Sequence, residues 1–298
     1  MLSDTDYVLR KLDWMRQARI WPNGLRYLWT DAFGVVLLVS LHVRLRRDKY
    51  LSEAEWLVAE VERVLGRRRG VRIGEESDRD GQYFHYLAMW LYALSVLGRF
   101  VPAYRERGVN LVKQIHGSFV LPGRGVHWKM LEDLSGPYPG YGFGALDAFD
   151  GYISYRMLDE VALADEIADM RALIQGPTSD LAITQDLGLG MMLWMTHFFP
   201  DENWAVTHRR RSLRMLDRMW QSEGYFSREP HYPKMKFAFT NYGVSVGLQA
   251  VGAMPDRVDD LNRYFETYSS GDEYDTAAIT HVMACTSHFP GLLISTEP

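Results

Sequence analysis

The chain has 298 residues, of which 47% are apolar and 24% charged, with a net charge of −5 and a pI near 6.0. That balance excludes a disordered or fibrous chain and leaves ample material for a core. It also excludes a nucleic-acid surface, which requires a basic stripe; the short basic runs at Arg44–Arg47, Arg67–Arg69 and Arg209–Arg211 read as solvated helix ends.

The apolar periodicity predicts helices in pairs. Asp4–Arg19 is amphipathic and is stopped by Trp21-Pro22-Asn23-Gly24. Trp29–Arg44 is apolar nearly all round, as a helix buried on both sides must be. The next helix is read as opening at Ser52, with Glu55 completing a capping box, and closing at Gly66. Gly81–Leu97 is aromatic and apolar, and Pro102–Ile115 is amphipathic. A long Gly/Pro loop, Pro122–Gly144, leads to Asp147–Leu158, and Ala162–Ile174 follows. Asp186–Phe198 is Met-rich and apolar, whereas Asn203–Gln221 is Arg-rich. Thr240–Val251, Asp256–Tyr268 and Thr276–Thr286 complete the series. Strand signals are confined to Val71–Ile73 and Ser118–Leu121, as short loop strands.

Six times a polar, Gly- or Pro-bearing loop runs into a helix that starts with aromatics, acids or histidines. These starts are Tyr27–Asp31, Asp80–His85, Leu146–Asp150, Thr184–Asp186, Phe239–Tyr242 and Tyr274–His281. A repeated helical hairpin buries its apolar face only against its neighbours, so the pattern predicts an all-α, (α/α)6 toroid of six outer–inner hairpins in one domain, 1–298. The loops into the inner helices are long and those leaving them short, which puts function at the ring of inner-helix N-termini.

Cys285 is the sole cysteine, so no internal disulfide forms, and the acidic Met1–Asp6 carries no apolar signal region. Val35–Leu41 is too short to span a bilayer. A cytoplasmic location, with neither a membrane nor a nucleic acid as partner, is the resulting expectation.

On its helix starts, Trp29-Thr30-Asp31 and Tyr83-Phe84-His85-Tyr86 among them, the chain resembles the six-hairpin glycosidase-like superfamily, which includes hydrolases, lyases and epimerases acting on carbohydrates. The resemblance spans nearly the whole chain and implies a sugar or glycoside as substrate. No single family's catalytic motif is matched, so it assigns no catalytic residue. Relatives of this architecture that bind zinc use two cysteines and a histidine, or a D-x-C element, and terpene cyclases carry Asp-rich motifs; none of these is present here. No metal site and no cofactor are expected.

Glycoside cleavage needs two carboxylates flanking the bond, one protonated and one ionised. Asp147 and Asp150, three apart on a helix start, share a face; Asp31 and Asp186 hold equivalent places in other hairpins. Asp in a first turn is also what capping and the macrodipole favour, and that dipole is expected to lower the pKa of Asp147 and Asp150. The acid is therefore sought beside Trp128, at Glu132 or Asp133, rather than in the polar loop of Glu75, Glu76 and Asp78. His85, among aromatics, is a candidate proton shuttle or a core histidine; His127, His231 and His281 are weaker candidates. The catalytic set is accordingly Asp147, Asp150, Asp186, Asp31 and His85, with Asp186 and His85 expected across the ring from the Asp147/Asp150 pair. Trp29, Tyr83, Trp128, Tyr138, Tyr141 and Tyr242 supply stacking walls, and Gly136–Gly144 forms a cover over the mouth.

The favoured reading is a glycoside hydrolase. Two others compete: acid–base chemistry on a terpenoid-like molecule in an aromatic cavity, and a non-catalytic binding protein. Paired carboxylates in a hydroxyl-friendly cleft, a closed aromatic cavity with one acid, or a plugged centre discriminate among the three.

Overall fold

The computed structural model describes residues 4–221, 226 and 237–295, and among these residues twelve α-helices make up nearly all the regular structure. The helices pack into two compact units, one from Met1–Gly24 with Ala182–Glu297 and the other from Leu25–Leu181.

In the Leu25–Leu181 unit, α2 (Leu28–Leu45), α4 (Phe84–Gly98) and α6 (Asp147–Leu158) form an apolar layer, with α4 packed between the other two. The amphipathic helices α3 (Asp48–Leu65), α5 (Pro102–Phe119) and α7 (Ala164–Gln175) each cover one member of that layer. This explains the composition of α2. It has the length and hydropathy of a membrane-crossing helix, yet 78% of it is buried, because packed neighbours leave no polar face to present. The α3 helix opens at Asp48 rather than Ser52, since Tyr50 and Ala54 are already buried against the layer; Ser52 lies inside the helix and caps nothing.

The other unit repeats the plan. Here α8 (Asp186–Thr196), α10 (Ala238–Ala250) and α12 (Ala278–His288) are apolar, and α10 packs on both its fellows. Helices α9 (Asn203–Gln221), α11 (Pro255–Thr267) and α1 (Asp4–Gln17) cover α8, α10 and α12 in turn. The α8 and α10 backbones touch: a Cβ on Gly190 would overlap the Gly243 carbonyl, and one on Gly247 would overlap that of Gly190. Side chains at these places would force the two helices apart.

Two small antiparallel pairs brace the loops of the first-described unit. β1 (Gln82–Tyr83) pairs with β4 (Lys129–Met130), and β2 (Val120–Leu121) with β3 (Gly125–Val126). The 120s loop is thereby tied to the start of α4, where the Phe84 N–H donates to the Trp128 carbonyl at 3.1 Å. Val71 forms only a single bridge, to Gly66.

Candidate functional site

The opening of α4 is held rigidly. Asp80 is 4% exposed, ion-paired with Arg72, and accepts from the N–H groups of Gly74 (3.2 Å) and Gly81 (2.8 Å). That clamp, with the β1–β4 pairing, fixes where Tyr83, His85 and Tyr86 project.

His85 meets α6. Its Nδ1 lies 2.7 Å from Asp150 Oδ2, and its ring stacks on Trp29 with centroids 4.5 Å apart. Burial lowers the His85 pKa, but the Asp150 charge and hydrogen bond outweigh it and hold the imidazole above its ordinary value. A carboxylate accepts, so Nδ1 carries the proton and, in the neutral ring, Nε2 carries the lone pair. The sequence expectation placed His85 across a ring from Asp150; the two lie on adjacent packed helices and are bonded directly.

Asp147 is 3% exposed, and its Oδ1 has no hydrogen-bond partner. Gly144 sits so close that a Cβ there would overlap Asp147 Oδ2, so the end of the 136–144 segment shields the carboxyl from water. Burial first, and then the Asp150 charge, push its pKa up to about 8; the nearby His85 charge pulls the other way without prevailing. The dipole expectation of a lowered pKa is therefore reversed for Asp147, because desolvation exceeds what a helix terminus supplies. Nor is Asp147 a cap: the N-cap is Leu146, which makes no side-chain cap bond.

The other acids have different work. Asp31 is fully buried and paired with Arg26 at 3.2 Å. Glu132 is ion-paired with Arg67 at 2.7 Å, and the Asp133 carboxyl is held below its usual value by Ser135. Neither loop acid has the burial that raises the Asp147 pKa. Asp186, in the other unit, accepts from Thr240 Oγ1 at 2.7 Å and from the Leu187 N–H at 2.8 Å, tying α8 to α10.

The aromatic residues divide by unit. Trp29 is 2% exposed and forms a wall behind His85 rather than an open stacking face. Tyr83 lies nearly parallel to Trp128 (5.6 Å, 12°), and Tyr141 stands edge-on to Trp128 (5.2 Å) and to Tyr138 (5.6 Å). Of this cluster Trp128 is the most open, at 43%. Lys129 was not singled out in the sequence, but it organises the group: the side chain is buried, with Nζ 4.6, 4.2 and 5.2 Å from the Tyr83, Tyr138 and Tyr141 rings. It also donates to the Arg79 carbonyl and faces Glu75 at 3.6 Å. The signal was present as a lysine directly before Met130, which is buried. His127 packs on Phe143 at 5.1 Å, and burial lowers its pKa. Tyr242 is buried in the other unit and lines a cavity there. His231 lies outside the described residues. Among the described residues no three His, Cys, Asp or Glu side chains converge to hold a metal ion.

No family model and no curated protein matches the chain. Solved structures do. A GH76 α-mannanase from Bacteroides thetaiotaomicron aligns with a TM-score of 0.68 at 8% identity, covering 99% of this chain and 98% of that one. A cellobiose 2-epimerase from Spirochaeta thermophila aligns with a TM-score of 0.60 at 13% identity, covering 90% and 86%. A sugar epimerase from a ruminal bacterium aligns with a TM-score of 0.54 at 13% identity, covering 90% and 75%. The chain has the all-α, (α/α)6 toroid fold expected from its helix pairs. At these identities the likeness is one of fold, and fold alone does not assign chemistry.

Proposed function

We propose that this protein is a carbohydrate-active enzyme that moves a proton on a sugar, in the manner of an epimerase or isomerase, with His85 as base and Asp147 as acid. One observation carries the reading. The 2.7 Å bond to His85 Nδ1 commits Asp150 to orienting the imidazole, leaving His85 Nε2 and a protonated Asp147 as the working pair. In an open-chain sugar, Nε2 takes the proton from the carbon beside the carbonyl while the Asp147 O–H donates to the carbonyl oxygen. When the resulting enediol turns its other face to the His85 imidazolium, return of that proton to the carbon and of the enol proton to Asp147 inverts the carbon and restores both groups. The fold shared with two epimerases supports the substrate class.

Glycoside hydrolysis is the second reading, favoured by the raised pKa of Asp147, which suits a general acid at a glycosidic oxygen. Its partner would then be a water activated by His85, since Asp150 is engaged.

Incubation with reducing mono- and disaccharides in D2O separates the two. Deuterium appearing at the carbon beside the carbonyl, without new reducing ends, supports proton transfer. Release of reducing ends without deuterium supports hydrolysis. Either activity surviving intact in both His85→Gln and Asp147→Asn would sink the site assignment.

A further inference from the structure

A cavity of about 200 Å³ lies wholly within the unit built from Met1–Gly24 and Ala182–Glu297. Helices α1, α10, α11 and α12 and the loop before α12 enclose it; Lys11, Phe237, Glu266, Tyr274, Thr280 and His281 are among its lining residues. It is smaller than the roughly 300–1,000 Å³ of sites for drug-sized ligands, so it suits a single ring rather than a chain.

His281 makes this more than a gap in packing. The residue is 8% exposed, and its Nε2 donates to the Asp275 carbonyl at 2.9 Å. That bond fixes the tautomer and leaves the Nδ1 lone pair as an acceptor. Nδ1 is buried and has no hydrogen-bond partner, and the same holds for Thr280 Oγ1 beside it. An unmet buried acceptor carries a penalty that a ligand donor removes. Burial, reinforced by the Lys11 charge, pushes the His281 pKa down to about 4, so the imidazole is neutral and its lone pair available at physiological pH.

The remaining walls narrow the ligand. Lys11 brings a donor and Glu266 an acceptor, so the charges oppose each other and favour neither an anion nor a cation. The Asp275 carboxylate is already saturated by Ser269, Ser270 and Gly271. Phe237 and Tyr274, whose rings pack 4.7 Å apart, supply an apolar wall for C–H groups. A neutral ring carrying hydroxyls meets all of these demands, because each hydroxyl both donates and accepts.

We propose that this cavity binds one hydroxylated ring of monosaccharide size, with a hydroxyl donating to His281 Nδ1 and an oxygen accepting from Lys11 Nζ. The proposal stands apart from the acid–base reading, since none of its residues belongs to the His85–Asp147–Asp150 group.

The test uses the full chain carrying His85→Gln and Asp147→Asn, so that turnover does not intervene. Glucose, mannose and galactose are titrated by calorimetry, with cyclohexylamine and cyclohexanecarboxylate as charged controls. Trp14, one of nine tryptophans, stands edge-on to His281 at 4.6 Å, and the difference in fluorescence between the chain with and without Trp14→Phe serves as a local reporter. At least one sugar is expected to bind and to perturb Trp14. Lys11→Met, on the half-exposed face of α1, and His281→Phe should each weaken it by about ten- to a hundredfold. If His281→Phe fails to fold, Lys11→Met with the Trp14 signal decides alone. Absence of binding by all three sugars, tighter binding of either charged control, or sugar affinity unchanged in the folded variants would overturn the proposal.

Discussion

His85 Nδ1 and Asp150 Oδ2 are 2.7 Å apart, and the bond joins α4 to α6. It couples three ionisable groups, because Asp150 raises the pKa of both His85 and Asp147. Replacing Asp150 with Asn removes one negative charge from the site. Both neighbours then shift downward, and the Nδ1–H loses its charged acceptor. The pH–rate profile of Asp150→Asn should therefore move as a whole to lower pH, with a fall in kcat of about ten- to a thousandfold from the misoriented imidazole. A profile unchanged in position would show that the couple does not govern the rate.

Asp147 ties function to stability. Its folded pKa of about 8 lies above the ordinary aspartate value of 3.8, so the native state holds a proton that the unfolded state has released. The contribution is fully favourable below the unfolded value and is lost as pH rises through the folded one. Asp147→Asn keeps the shape and abolishes the titration. It should thus be more stable than the parent at neutral pH, by up to roughly 4 kcal/mol at pH 7, with the gain shrinking towards pH 4. Urea unfolding at pH 4.5 and 7.5 measures this, and the same variant should be catalytically impaired.

Much of the fold was legible because helix starts and apolar periodicity are local. The pattern over Asp147–Leu158 and Asn203–Gln221 matches the observed helix bounds, and all six apolar helices stand out in it. The site was less legible. His85 and Asp150 are 65 residues apart, and periodicity orders neighbours on one helix without saying which helix packs on which. The protonation of Asp147 was hidden for a related reason: its burial comes from Gly144 and α4, not from its own turn. Ser52 misled because a capping-box pattern persists in a helix interior when tertiary packing extends the helix past it.

Lys129 should be the pin of the aromatic cluster. A buried ammonium against three tyrosine rings gains cation–π attraction that a thioether does not replace, at about 0.5–2 kcal/mol for each desolvated contact. Part of that gain offsets the cost of burying the charge. Lys129→Met is expected to lose about 1–3 kcal/mol of stability and to loosen Tyr83, Tyr138 and Tyr141 together. Because the cluster borders the α4 opening, KM should rise more than kcat falls. Lys129→Arg should restore part of the loss, and its failure to do so would indicate that cavity shape matters more than charge.

Asp186 offers the sharpest contrast with Asp147. The two occupy the same place in their helices, yet Asp186 is saturated where Asp147 Oδ1 is bare. Its carboxylate holds Thr240 Oγ1 and the Leu187 N–H across the α8–α10 contact, where Gly190 and Gly247 already bring the backbones together. Asp186→Ala strands the Leu187 N–H and leaves the Thr240 hydroxyl only the Phe237 carbonyl of its own turn, so the tie to α8 is lost and a loss of about 1–3 kcal/mol is expected. Turnover by the fraction that remains folded should stay within about threefold of the parent if Asp186 is a tie between helices. Active-site titration with melting curves distinguishes the outcomes: a kcat collapse of about a hundredfold or more, with the melting temperature preserved, would move Asp186 back among the catalytic carboxylates.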